Sequence, residues 1–357
     1  MLFDTLQAGS VLLANRLLMA PLTRARADAG HMPNALMAEY YAQRASAGLV
    51  ITECTMIAEN TSAFVNEPGI YNAAQIEAWK QTTSAVHARG GKIFLQIWHA
   101  GRAAHPAING GTPIVSSSAI ALQGETHTPE GKLPNAVPHA LSEAEIADVV
   151  QAFAQAARNA IAAGFDGVEV HGANGYLIDQ FLRDSANHRT DGYGGTLAHR
   201  SRFLFEVLDA VCAAIGSGRV GLRLSPLNSY NDMKDSDPLG WMAYLAEHLN
   251  RFNLAYLHVM RADFFGVQTG DVLAVARAHY KGVLIGNMGY TSDEAEAAVA
   301  DGKLDAVAFG TGFLANPDFP ARVKAGAALN TPDTSTYYTP GAKGYTDYPT
   351  LGQTAAA

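Results

Sequence analysis

Residues 167–182 read GVEVHGANGYLIDQFL, and three of them could do chemistry together: His171, Asn174 and Tyr176. An imidazole N–H and a carboxamide N–H can both donate to one oxygen atom, and a phenol beside them can deliver a proton. That set suits reduction of a double bond conjugated to a carbonyl or nitro group. The oxygen is polarised, a hydride arrives at one carbon and a proton at the other. Two donors and an acid carry no reducing electrons, so a hydride source must bind elsewhere in the chain. Singly, His171 reads as a structural histidine and Tyr176 as a core or rim aromatic; their company points to chemistry.

These residues close a β-rich run at 167–170, one of eight. The others are 16–20, 48–55, 92–98, 220–224, 256–260, 283–286 and 306–309. Several are nearly continuous apolar runs, as parallel strands covered by helices are. Helical patterns lie between them. Ser142 and Glu145 form a capping box, opening a helix that buries Ile146, Val149, Val150, Phe153 and Ile161 and stops at Gly164. Phe203, Val207, Val211 and Ile215 mark a second helix, and Thr291–Glu294 caps a third that ends near Gly302. Eight strand–helix units predict one α/β domain over 1–357, a (β/α)₈ TIM barrel. A doubly wound sheet is the alternative, but no GxGxxG follows the first strand. Residues before Arg16 read as a hairpin closing the barrel bottom, 100–141 as a capping insertion, and the segment from about Thr331 as loop, with a disordered tail over 350–357.

Chemistry in such barrels sits at the C-terminal strand ends. Those ends carry Ala20, Pro21, Leu22 and Thr23, then Cys54, Gln96 with Trp98, His171 with Asn174, Arg223, Gly286 with Asn287, and Gly310 with Thr311. Each also has a plain reading. Arg223 could be a structural ion pair, Gln96 could satisfy barrel backbone, Thr23 could be a turn residue, and Gly310 could serve only a tight turn. Cys54 and Cys212 read as small buried apolar residues.

Composition narrows the field. The 357 residues are 48% hydrophobic and carry a net charge of −8, with no basic run, which disfavours nucleic acid. No apolar run approaches the ~18 residues of a membrane span, and the N-terminus lacks the pattern of a secretory signal. Two distant cysteines allow no disulfide framework, which suits a reducing, cytoplasmic compartment. The 12 scattered histidines suggest no metal.

MAPLTRAR (19–26), YYAQRASAGLVITE (40–53), FLQIWHAGR (94–102), VHGANGYLIDQFL (170–182), NHRTDGYGG (187–195), LRLSP (222–226), FLANPDFP (313–320) and GYTDYP (344–349) together resemble the Old Yellow Enzyme family, in order and spacing along essentially the whole chain. The resemblance implies an FMN-dependent ene-reductase on a (β/α)₈ barrel, with NADPH or NADH as hydride donor. It makes Gln96 the partner of the flavin pyrimidine edge, Arg223 the charge near N1 and C2=O, and Thr23 the donor to O4. Ala20, Pro21, Leu22 and Cys54 would offer main-chain contacts. His171 and Asn174 would bind the substrate oxygen, and Tyr176 would be the proton donor. Trp98, Phe64 and Tyr230 would line the substrate side, with Tyr338 closing over the flavin. One departure stands out. The family reads FGR after the eighth strand, its arginine meeting the FMN phosphate; this chain reads Phe309-Gly310-Thr311-Gly312. The phosphate would then rest on backbone N–H groups of Gly286, Asn287, Met288, Gly289, Gly310 and Thr311 and on a helix N-terminus, and FMN should be held more weakly.

The implied partners are small activated alkenes or nitro compounds, on a monomer or small homo-oligomer. Nitroester or nitro-compound reduction on the same fold is one alternative, and a non-catalytic flavin-binding or stress-sensing protein another. A flavin-free isomerase or aldolase would need a catalytic lysine or acid pair at the strand ends. A dienoyl-CoA-type reductase would need an iron–sulfur segment.

Overall fold

The computed structural model describes residues 1–353. Eight parallel strands close on themselves in the order Leu17–Met19, Val50–Ile51, Ile93–Trp98, Gly167–Gly172, Val220–Leu224, Tyr256–Met260, Leu284–Asn287 and Ala306–Phe309, the last pairing with the first. We number these barrel strands first to eighth. Side chains alternate across them with period two. Val168, Val170, Leu222, Leu224, Leu257 and Val259 face the helix layer. Phe94, Tyr256, Ile285, Ala306 and Ala308 fill the barrel interior.

The N-terminal hairpin, Leu6–Ala8 against Val11–Leu13, buries Ala8, Val11 and Leu13 in that interior cluster. Ser10 N donates to Gly218 O at 2.8 Å, fixing the hairpin at the bottom of the barrel. The long connection after the third strand carries a second hairpin, Glu125–Thr128 with Gly131–Pro134, and a short parallel pair, Val115–Ser116 with His139–Ala140.

The capping box at Ser142 and Glu145 is present and opens the helix Glu143–Ala162. Ile146, Val150 and Phe153 are buried as the pattern required, each contributing roughly 1.5–3 kcal/mol, while Val149 is only partly buried. Alanines at 154, 156, 157 and 160 let the helix approach closely.

Two expectations change. The strand expected over 48–55 is broken: after Val50–Ile51 the chain leaves the ladder and rejoins it at Thr55–Met56. Thr52 Oγ1 takes the Gln96 N–H, and Glu53 turns its carboxylate to Arg24 N, Ala25 N and Tyr41 OH. Side chains thus satisfy groups a continuous strand would have paired, and Cys54 is left at the barrel mouth. Residues 350–353, expected to be disordered, form a turn in which Leu351 N donates to Asp318 at 2.7 Å; 354–357 lie outside the described residues.

The C-terminal segment folds back across the mouth. Arg24 donates to Tyr337 O and Gly344 O, Arg26 to Thr336 O and Gly341 O, and Arg44 to Phe313 O, Leu314 O and Tyr345 O. Tyr345 stacks on Tyr40 at 3.9 Å between these guanidinium groups. Among the described residues no helix is long and apolar enough to cross a membrane.

Candidate active site

A cavity of about 770 Å³ opens at the C-terminal strand ends. Its wall includes Ala20, Pro21, Leu22, Thr23, Cys54 and Gln96 from the first three strands, and His171, Asn174, Tyr176 and Arg223 from the fourth and fifth. Asn287, Met288, Gly289, Gly310 and Thr311 form one end, and Phe64, Tyr230 and Tyr338 the other. Two expected residues do not reach the wall. Gly286 lies on the helix-facing side of its strand, where an added Cβ would stand 2.4 Å from Leu304 Cδ1; strand alternation sends Asn287 inward and Gly286 outward. Trp98 is fully buried behind the wall, edge-on to Tyr176 at 4.3 Å and stacked on His171 at 6.3 Å.

Beneath the cavity lies a buried polar cluster that sequence reasoning missed. Glu169 accepts from Gln96 Nε2 at 2.8 Å and Tyr256 OH at 3.1 Å, and pairs with His258 Nδ1 at 2.9 Å. Burial alone would raise this carboxyl, but His258 and Arg223 hold it below its ordinary value. Only the NH₂ end of Gln96 can face a carboxylate, so its amide oxygen is the end left for the cavity. Arg223 donates through Nη2 to Asn287 Oδ1 at 2.9 Å, and Asn287 Nδ2 donates to Ala308 O. The buried Arg223 Nε has no partner.

A second network sets the donors. Asn228 Oδ1 accepts from the backbone N–H of Tyr230 at 3.4 Å and of Phe264 at 3.3 Å, which fixes that end as the acceptor. Its Nδ2 therefore donates to Asn174 Oδ1 at 2.8 Å, and the Asn174 NH₂ is left for the cavity. The Asn174 backbone is itself left-handed, at φ 57, and is held by Ser225 Oγ and Asn231 Nδ2. Beside it His171 is 4% exposed, with Nδ1 unpartnered. Burial, then the charges of Arg223 and His258, keep this imidazole well below its usual range, so it is a neutral donor.

Tyr176 caps the helix Leu177–Leu182 and lies 5.2 Å, ring to ring, from His171. Burial, and then Tyr230, Cys54 and Glu67, push its phenol well above the ordinary tyrosine value, so the proton stays on. Thr23 Oγ1 is 3.0 Å from Cys54 Sγ, with the buried Glu67 carboxyl 3.8 Å beyond that thiol. Phe64 stacks on Tyr338 at 6.2 Å, forming the rim.

At the opposite end, Met288 and Gly289 are both left-handed, at φ 91 and 70. Among the described residues the N–H groups of Gly289, Tyr290 and Gly310 have no acceptor. This end therefore offers a row of free backbone donors, with no cationic side chain at Thr311.

Residues 1–330 match the family described as NADH:flavin oxidoreductase / NADH oxidase. The chain belongs to that family, which is the Old Yellow Enzyme family. A probable flavin mononucleotide-dependent alkene reductase of Leishmania infantum is 53% identical over 343 residues, 94% of each chain. The solved old yellow enzyme of Trypanosoma cruzi superimposes with a TM-score of 0.96 at 43% identity, covering 98% of this chain and 99% of that one. Morphinone reductase gives 0.94 at 44% identity over 98% and 97%. As a member of the Old Yellow Enzyme family the protein is an NAD(P)H-dependent flavin oxidoreductase, with FMN as cofactor and a nicotinamide coenzyme as reductant.

Proposed function

We propose that the protein reduces alkenes activated by a carbonyl or nitro group. FMN, when bound, supplies a two-electron hydride relay through N5 from NAD(P)H to the β-carbon of the alkene. The residues present fit that group. Gln96 would offer an amide oxygen to an N–H on the pyrimidine edge, Arg223 would place its positive charge at the same end of the ring, and Thr23 would offer a hydroxyl to a ring carbonyl. Main chain at 20–22 would border the ring, and free N–H groups at Gly289, Tyr290 and Gly310 would suit a phosphate.

The observation that carries the reading is the polarity of the Asn174–Asn228 pair, which turns an NH₂ into the cavity beside the neutral His171. Two neutral donors hold a substrate carbonyl or nitro oxygen and take up the negative charge that develops there. Burial and the nearby Arg223 make the charged form of His171 costly. Tyr176, protonated and adjacent, delivers its proton to the α-carbon. Phe64, Tyr230 and Tyr338 shield the reacting face from bulk water.

The test is an absorbance spectrum of the FMN-loaded protein before and after anaerobic NADPH and then 2-cyclohexenone. Flavin bands that bleach with NADPH and return with the enone are expected. Bleaching without return would reduce the protein to a flavin reductase or sensor.

A further inference from the structure

The phosphate end of the cavity has a cation behind it. Arg261 directly follows the sixth barrel strand, and its backbone N donates to Asn287 O at 3.1 Å. Its guanidinium donates through Nε to Met288 O at 2.8 Å and through Nη2 to Gly289 O at 3.1 Å. It lies 3.8 Å over the Tyr290 ring and pairs bidentately with Glu294. A trans peptide points its C=O and N–H in opposite directions. Gripping the carbonyls of 288 and 289 therefore aims the N–H groups of Gly289 and Tyr290 away from Arg261, and these are two of the donors found without an acceptor. Both residues line the cavity. A cation on the carbonyl side also polarises each peptide and strengthens its N–H as a donor.

We propose that Arg261 is the positioning residue of the FMN phosphate site, acting through the peptides 288–289 and 289–290 where Thr311 brings no charge. The proposal rests on the flavoenzyme reading. It accounts for two successive left-handed residues, one of them the non-glycine Met288, whose carbonyls the guanidinium holds. It also gives Arg261 a function beyond its pair with Glu294.

The experiment titrates apoprotein with FMN and with riboflavin, which lacks the phosphate, following flavin fluorescence. Arg261→Ala should weaken FMN by about tenfold or more, the scale of a charge-assisted bond, and leave riboflavin within about twofold, a change within ordinary site variation. Adding Thr311→Arg to that variant should restore FMN without moving riboflavin, a rescue that a collapsed loop could not show. Equal losses for both flavins with no rescue would make Arg261 a merely structural residue, and an unchanged FMN affinity would also overturn the proposal. Wild-type protein that takes up neither flavin would instead overturn the flavoenzyme reading itself, and the phosphate site with it.

Discussion

Asn228 donates to Asn174 Oδ1 at 2.8 Å, and this bond decides which end of the Asn174 amide meets the cavity. The decision originates in backbone that cannot flip, since the N–H groups of Tyr230 and Phe264 hold Asn228 Oδ1. Asn228→Asp should therefore be worse than Asn228→Ala. The carboxylate would demand the Asn174 NH₂ and turn its oxygen toward the substrate. Phenol binding to the FMN-loaded protein, followed by the flavin absorbance shift, should weaken roughly 5–100-fold for Asn228→Asp, corresponding to one lost and one reversed hydrogen bond. Equal effects of Asp and Ala would show that the amide is free to rotate.

Removing the phenol isolates proton delivery. Tyr176→Phe keeps the edge contact with Trp98 and deletes only the hydroxyl. Enone reduction should slow by about 10²–10⁴, the usual worth of general acid catalysis. Reduction of the flavin by NADPH should be nearly unchanged. Stopped-flow measurement of the two half-reactions decides; a parallel fall would make Tyr176 a positioning residue.

Thr311 is the simplest place to add a charge. It lines the same end of the cavity as the free Gly310 N–H. Thr311→Arg in the otherwise native chain should tighten FMN by roughly 10–100-fold, read as a dissociation constant by fluorescence. No change would mean that the backbone donors and Arg261 already saturate the phosphate.

Acid should destabilise the fold through His99. Burial drives this imidazole from 6.5 down to about 4, and its Nδ1 must stay unprotonated to accept from Gly101 N at 3.0 Å. A histidine whose folded value is depressed binds its proton more readily when unfolded. Stability is therefore intact above about pH 6.5 and is lost as pH falls toward 4, by up to about 3 kcal/mol. Urea unfolding between those pH values should show the loss, and His99→Gln should remove the share that His99 contributes.

Most of the scaffold was legible because apolar runs and period-two alternation report directly on buried parallel strands. The second strand was not, because its break depends on Glu53 meeting Arg24 and Tyr41, contacts between different elements that no local pattern carries. Gly286 was misplaced although the signal existed: with Ile285 and Asn287 facing inward, the residue between them must face outward. Glu169 could have been read the same way, two residues before His171 on one strand face. Asn228 and Arg261 could not. Each acts on atoms 27 or more residues away in sequence, and although Arg261 directly follows the sixth strand, its grip on Met288 O and Gly289 O is a contact no local pattern carries.

Arg24 follows Thr23 directly on the cavity floor, yet the carbonyls it grips lie 313 and 320 residues further along the chain. A chain emerging N-terminus first thus builds the floor, the donor pair and the phosphate end before the segment bearing Tyr337 and Tyr338 exists. The wall of the cavity is therefore completed by the segment made last, and its closure waits on the whole barrel.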